Sequence, residues 1–144
     1  MKILVDTNVL VRSVERKHPS SQIARTAVRR LYSQSHELFV ATQNIAEFWN
    51  VCTRPAATNG LGNSIEATSR LATRLESFFA ILPESMDTFR QWRGLVFAHG
   101  VKGANVHDAR LAATVLAYRL DAILTFNAAD FARFPIPVLD PAQV

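Results

Sequence analysis

The residues best suited to do chemistry in this sequence are a few carboxylates and one amide that follow or interrupt apolar segments. Asp6 comes directly after the apolar run 3–5, and Asn127 and Asp130 come shortly after the apolar run 122–125. Residues just beyond the carboxyl ends of parallel strands line the ligand crevice of an α/β sheet. We therefore expect these side chains at one edge of a sheet. The alternative for Asp6 and Asp130 is that each caps the helix that follows it.

Two further acids lie on segments with helical periodicity. Glu47 is the only charged residue between Gln43 and Thr53, and a buried carboxylate without a partner costs roughly several kcal/mol. Asp108 lies in the first turn of its helix and begins an inward-facing apolar stripe, Leu111, Ala112, Val115 and Leu116. The alternatives are an ion pair between Glu47 and an arginine, and a favourable interaction of Asp108 with its helix dipole.

If these carboxylates meet, electrostatics require a cation. Two carboxylates about 5 Å apart repel by about 3 kcal/mol at an effective dielectric constant near 20, so three or four cannot all stay ionised without compensation. Carboxylate and amide oxygens favour Mg²⁺ or Mn²⁺ over zinc. The four histidines do not change this choice: His18, His36 and His99 lie in polar or terminal positions, and His107 is one position away from the inward face that Asp108 occupies.

Composition favours a soluble protein with a polyanionic partner. The 144 residues carry a net charge of +4, and only three of the 16 basic residues are lysines. Because arginine grips phosphate with two parallel hydrogen bonds, a metal site on such a protein points to phosphate chemistry with a metal-activated water. Arg12, which follows Asp6 closely, is the best candidate for a substrate contact. The single Cys52 and the absence of a signal-like or membrane-spanning apolar segment favour a cytoplasmic protein.

Short apolar runs alternate with longer helical segments along the chain. Candidate strands lie at 3–5, 38–40, 80–82, 122–125 and 138–139, and helices are expected between them. Ser64 and Ser85 are candidate helix caps, and Gly100 is a candidate helix stop. This alternation predicts one α/β domain over residues 1–144, with a mostly parallel sheet covered on both faces.

Four ordered segments resemble a known family. They are Ile3-Leu4-Val5-Asp6-Thr7-Asn8, the helical Glu47, Asn105-Val106-His107-Asp108-Ala109 and Thr125-Phe126-Asn127-Ala128-Ala129-Asp130-Phe131. In order and at family-like spacing they resemble the PIN-domain ribonucleases, and the branch most similar is that of the VapC-type toxins. Each motif alone is weak, but the ordered set spans nearly the whole chain.

The resemblance implies a flavodoxin-like α/β/α sandwich that uses Mg²⁺ or Mn²⁺ to cleave RNA endonucleolytically. It implies that Asp6, Glu47 and Asp108 bind the metal, with Asp130 or Asn127 completing the site. Thr7 and Thr125 resemble hydroxyls that orient the ligands. A homodimer and a cognate antitoxin that blocks the site are also implied. The departure from the family pattern is Asn127, which stands where many relatives have an acid.

Three other readings remain open at the level of sequence. A phosphatase of the haloacid dehalogenase type needs a second aspartate two residues after the first, where this chain has Asn8. A phosphoacceptor receiver domain needs a lysine after its last strand, whereas Lys102 precedes a helix. The third reading is a non-catalytic module that binds RNA or an antitoxin, with a decayed site.

Overall fold

A central sheet of five parallel strands organises the protein. The computed structural model describes all residues from 1 to 144. The strands are β1 (Lys2–Val5), β2 (Glu37–Ala41), β3 (Ala80–Leu82), β4 (Ala122–Leu124) and β5 (Val138–Leu139). Their order across the sheet is β3-β2-β1-β4-β5, and every neighbouring pair is parallel. The chain therefore reverses its direction of travel across the sheet between β1 and β4, which is where open α/β sheets bind ligands.

Seven helices connect and cover the strands. They are α1 (Thr7–Val14), α2 (Ser21–Ser33), α3 (Thr42–Thr53), α4 (Ile65–Phe78), α5 (Met86–Ala98), α6 (Asn105–Ala117) and α7 (Ala128–Phe131). Ser64 and Ser85 cap α4 and α5 by accepting hydrogen bonds from backbone N–H groups three residues later, at 3.1 Å each. Gly100 follows α5 with φ of +57°, a conformation that glycine adopts at little cost. None of the helices is both long and apolar enough to cross a bilayer.

Alternation along β1 separates two apolar layers. Ile3 and Val5 pack with α1 to α4 on one face of the sheet. Leu4 packs with α5, α6 and α7 on the other. Since side chains alternate between the faces of a strand, a continuous apolar run is what a strand covered on both faces needs. The expected three-layer α/β/α sandwich with a parallel sheet is confirmed.

The structure corrects the end of one strand and defines the ends of several helices. The first helix ends at Val14, and β4 ends at Leu124, so Thr125 lies just beyond the strand. Ser20 stands at the start of α2 without a side-chain capping bond. Phe78, the last residue of α4, is 44% exposed, whereas Phe79, just after the helix, is 6% exposed.

Candidate metal and nucleic-acid site

A cleft of about 770 Å³ opens at the carboxyl edge of the sheet, beside β1 and β4. Asp6, Glu47 and Asp108, which are far apart in the sequence, all line it. Asp6 is carried by the end of β1, Glu47 by the middle of α3 and Asp108 by the first turn of α6. Asn127 and Arg12 line the same cleft. The fold thus brings these candidate residues to a common site.

Asp6 is held by side chains rather than used as a helix cap. It stands at the start of α1 but makes no capping hydrogen bond. Its Oδ2 accepts hydrogen bonds from Thr125 Oγ1 at 2.6 Å and from Asn8 Nδ2 at 2.8 Å. Asn8 Oδ1 in turn accepts from the Phe126 backbone N–H at 3.2 Å. These bonds tie the end of β1 to the segment after β4, so the capping explanation does not hold for this residue.

Glu47 has no arginine partner. Its Oε2 accepts a hydrogen bond from Thr7 Oγ1 at 2.6 Å, and its Oε1 accepts one from Gln43 Nε2 at 2.7 Å. Asn44 Nδ2 donates to Thr7 Oγ1 at 3.1 Å, which fixes that hydroxyl. The structural ion pair considered for Glu47 is therefore absent. Its carboxylate lines the cleft and accepts hydrogen bonds from neutral donors only.

Asp108 is half-buried at the start of α6, and no side chain or backbone N–H hydrogen-bonds to its carboxylate. Burial raises the pKa of Asp108 to about 6, and the negative charges of Asp130 and Glu47 add to the effect. The nearby basic side chains of His107 and Arg133 lower this pKa but do not cancel the rise. An ionised Asp108 thus lacks the partners that would normally stabilise a buried charge.

The Asp6 carboxyl has the same tendency to hold a proton. Burial raises the pKa of Asp6 to about 6, while the Thr125 hydroxyl and the Thr7 backbone N–H lower it. The charges of Glu47 and Asp108 raise it further. Asp6 and Asp108 therefore each respond to the other acids of the cleft, which is the electrostatic signature of carboxylates that share one site.

The two candidates for a fourth position are placed differently. Asn127 lines the cleft, and its backbone N–H donates to Thr125 Oγ1 at 3.0 Å. Asp130 is exposed on α7 and does not line the cleft, although its charge acts on Asp108. Asn127 therefore lines the same cleft as the acids, whereas Asp130 lies outside it and acts on Asp108 through its negative charge.

The donor set fits a hard divalent cation. In this structure no three His, Cys, Asp or Glu side chains are close enough together to enclose one ion. Mg²⁺ does not require such a cage, because it is usually held by one or two carboxylates together with waters and substrate phosphates. Two carboxyl groups with raised pKa values, an adjacent Glu47 and an amide oxygen from Asn127 suit an ion of this kind.

Several polar residues of the site were missed by the sequence analysis. Asn8, Gln43 and Asn44 position the acids, and Glu15 and Arg54 line the cleft. Asn8 lies two residues after Asp6 and directly before the apolar stripe of α1, which is a signal that could have revealed it. Gln43 and Asn44 lie within one turn of Glu47, but polar residues in a helix's first turn are too common to single out.

The Pro55–Asn63 segment forms one wall of the cleft and is closely tied to the rest of the protein. The backbone N–H groups of Leu61, Gly62 and Asn63 donate to carbonyls at the end of α3, at 2.8–2.9 Å. These hydrogen bonds to α3 hold the Pro55–Asn63 segment in place as a fixed wall of the cleft.

The comparisons with known proteins agree with this architecture. The family model described as PIN domain matches residues 3–137. A comparison with curated proteins gives no match by sequence.

Several solved structures have a similar fold. VapBC2 of Rickettsia felis, solved bound to a DNA fragment from its promoter, has a TM-score of 0.73 and 16% identity, over 97% of this chain and 98% of that chain. FitAcB of Neisseria gonorrhoeae has a TM-score of 0.71 and 22% identity, over 99% of both chains. VapC20 of Mycobacterium tuberculosis, a sarcin–ricin loop cleaving toxin, has a TM-score of 0.63 and 16% identity, over 84% of this chain and 86% of that chain. These identities show likeness of fold, and the family match extends over most of the sequence: the chain belongs to the PIN domain family.

Proposed function

We propose that this protein is a Mg²⁺- or Mn²⁺-dependent endoribonuclease and the toxin of a toxin–antitoxin pair. The observation that carries the proposal is the convergence of Asp6, Glu47 and Asp108 on one cleft at the switch point of the sheet. None of these carboxylates has a salt bridge to a basic side chain. The membership of the PIN domain family and the likeness to VapC20 support RNA as the substrate.

Some residues would bind the ion directly, and others would orient the side chains that bind it. Asp6, Glu47 and Asp108 would bind the ion, with Asn127 offering an amide oxygen and Asp130 adding negative charge. When bound, Mg²⁺ or Mn²⁺ lowers the pKa of a coordinated water and neutralises developing charge on the phosphate. Thr125 donates to Asp6 and Thr7 donates to Glu47, so both carboxylates are oriented before substrate arrives.

Arg12 supplies a substrate contact on the α1 wall of the cleft. Its guanidinium forms an ion pair with Glu15, and both side chains are about one-third exposed, at 35% and 29%. An arginine held in this way keeps its charge near the acids without neutralising them. A substrate phosphate would compete with Glu15 for the Arg12 guanidinium.

The decisive experiment is cleavage of RNA with controlled metal. The purified protein should cut single-stranded RNA in Mg²⁺ or Mn²⁺ and not in EDTA, and Asp6→Asn should abolish cutting while the protein stays folded. Full activity in EDTA would falsify the mechanism. Binding of RNA without any cutting in either metal would favour the non-catalytic reading. Release of phosphate from small phosphomonoesters, with RNA left intact, would favour the phosphatase reading.

The proposed antitoxin has a suitable docking groove between α2 and α4. The groove is lined by Val28, Tyr32, Leu75, Phe78 and Phe79. Tyr32 and Phe78, whose ring centroids lie 5.1 Å apart, are 60% and 44% exposed. Arg25, Arg29 and Arg74 border the groove, so an antitoxin segment with an apolar anchor and acidic flanks is complementary to it. A toxin–antitoxin complex from Klebsiella pneumoniae is among the solved structures of similar fold, which supports this kind of partner.

Co-expression with a neighbouring small gene tests the partner. The gene product should co-purify with this chain and suppress its RNA cleavage, and Tyr32→Asp should weaken the complex while leaving RNA cleavage by the free protein intact. A complex that survives Tyr32→Asp unchanged would place the antitoxin elsewhere.

A further inference from the structure

One guanidinium of the cleft differs from the others in having no acidic partner. Arg12 is paired with Glu15, and Arg110, in a neighbouring depression beside Glu47, is paired with Glu84. Arg54 lines the main cleft and forms no salt bridge. Its Nη2 donates to the Asn59 carbonyl at 3.0 Å, and its Nε is buried without any hydrogen-bond partner.

The position of Arg54 is fixed by the segment that follows it. Arg54 ends α3, and the Gly62 backbone N–H returns to donate to the Arg54 carbonyl at 2.9 Å. Gly60 packs so closely that a Cβ there would lie 1.8 Å from the Arg54 carbonyl oxygen, so only glycine fits this position. The backbone is thus tied down on both sides, and the bond to the Asn59 carbonyl already restrains the side chain, so less conformational entropy is lost when it binds a ligand.

The surroundings leave the Arg54 charge free for an external anion. Residues 55–63 contain no aspartate or glutamate. Glu47 precedes Arg54 by seven residues on the same helix, which corresponds to about 10 Å along the helix axis. The two side chains form no ion pair, and their spacing suits a phosphate next to the one positioned at the acids.

We propose that Arg54 is a preorganised phosphate-binding residue that holds a backbone phosphate of single-stranded RNA adjacent to the scissile one. This inference rests on the proposed ribonuclease function and extends it to the substrate's path along α3. Arginine suits the role because its planar donors match two phosphate oxygens at once. Arg12 and Arg54, which both line the cleft, would then each contact the strand.

The test measures RNA binding without cleavage. Fluorescence anisotropy with a labelled single-stranded oligoribonucleotide in EDTA compares wild type with Arg54→Gln, Arg54→Lys and the control Arg70→Gln. Arg70 is exposed on α4 and lies outside the cleft, so its variant removes the same charge at a different place. We expect Arg54→Gln to weaken binding about tenfold and to reduce the slope of log K against log salt by about 0.7, the contribution of one contact on a single strand.

The other variants separate charge from geometry and folding. Arg54→Lys should bind RNA with intermediate affinity, because it keeps the charge and loses the two-pronged contact. It also carries the test if Arg54→Gln fails to fold, as judged by its thermal melting. Arg70→Gln should change affinity less than twofold.

The outcomes distinguish this inference from the proposed function. If both Arg54 variants bind RNA as tightly as wild type while wild type still cleaves RNA, the inference is wrong and the function stands. If the protein never cleaves RNA but Arg54→Gln weakens RNA binding, the inference about Arg54 stands and the proposed ribonuclease function is wrong. If Arg54→Gln impairs only the complex with the antitoxin, the arginine belongs to the protein interface and the inference is overturned.

Discussion

At the residue scale, the acids of the cleft lower the stability of the metal-free folded state. Asp6 is only 7% exposed, and burial is the main reason that its pKa rises to about 6. A group that prefers its neutral form in the folded state destabilises that state wherever the solution pH keeps it ionised. Such a cost is expected of residues retained for function rather than for folding.

Removing the charge of Asp108 should therefore stabilise the protein when no metal is present. Asp108 accepts no hydrogen bond, so Asp108→Asn loses repulsion from Glu47 and Asp130 without losing a partner. We expect a gain of about 1 kcal/mol after allowing for the screening of a half-buried group, or a melting temperature about 2–4 °C higher in EDTA at pH 7. Differential scanning fluorimetry measures this, and Mg²⁺ should raise the melting temperature of wild type more than that of the variant. An unchanged or lower melting temperature for the variant in EDTA would argue against clustered charges.

The same raised pKa values predict how stability depends on pH. Because the pKa values of Asp6 and Asp108 rise from 3.8 to about 6 on folding, the folded state binds more protons than the unfolded chain between these limits. The free energy of unfolding in EDTA should thus fall as the pH rises from about 4 to about 6, and Asp6 alone accounts for up to about 3 kcal/mol of that loss at pH 7. Urea unfolding at pH 5 and pH 7 tests the sign. The prediction is wrong if, in EDTA, both wild type and Asp108→Asn are more stable at pH 7 than at pH 5.

At the element scale, a polar chain connects the helices that carry the acids. Gln43, in the first turn of α3, donates from Nε2 to Glu47 Oε1 at 2.7 Å and to the His107 carbonyl at 3.0 Å. The second bond reaches across to the first turn of α6, which carries Asp108. Gln43 is thereby a positioning residue that sets the separation between Glu47 and Asp108.

Cutting this link should weaken metal binding more than it weakens the fold. For Gln43→Leu we expect Mn²⁺ affinity to fall about tenfold or more, since loss of a group that orients metal ligands commonly costs 10–100-fold. Electron paramagnetic resonance of free Mn²⁺ gives the affinity, and thermal melting shows whether the fold is intact. Gln91→Leu, on the exposed side of α5, is the matched control. Equal Mn²⁺ affinity for Gln43→Leu and wild type would show that Gln43 has no positioning role.

Much of the element order could be predicted from the sequence, for identifiable reasons. Apolar runs such as 3–5 and 122–125 are short, uninterrupted and flanked by helical periodicity, which predicts buried parallel strands. The side-chain network around the acids could not be predicted, because Asn8, Gln43 and Asn44 gain their meaning from partners more than thirty residues away or across a helix. Local patterns locate elements, whereas contacts between elements decide which polar residues serve the site.

At the scale of the whole molecule, the sheet order places the cleft. β1 is flanked by β2 on one side and β4 on the other, so α3 and α6 start from opposite sides of Asp6. Their first halves then bring Glu47 and Asp108 towards it. The outer face of α5 takes no part in this arrangement and carries three exposed large apolar side chains. Met86, Phe89 and Phe97 are 63%, 46% and 88% exposed there.

This exposed face predicts self-association, which the resemblance to toxin dimers also implies. Met86, Phe89, Arg93 and Phe97 follow one another at spacings of three or four residues, so they share one side of α5. Three large exposed apolar side chains along one side of a helix, even with Arg93 among them, are unfavourable in water and typical of an interface. We expect wild type to be a dimer and Phe97→Ser to shift towards monomer in analytical ultracentrifugation over a range of concentrations, while Ile65→Ser, at a 67% exposed position on α4, leaves the dimer unchanged. A wild-type protein that stays monomeric at high concentration would refute self-association, and a Phe97→Ser protein that dimerises as wild type does would show that another face forms the contact.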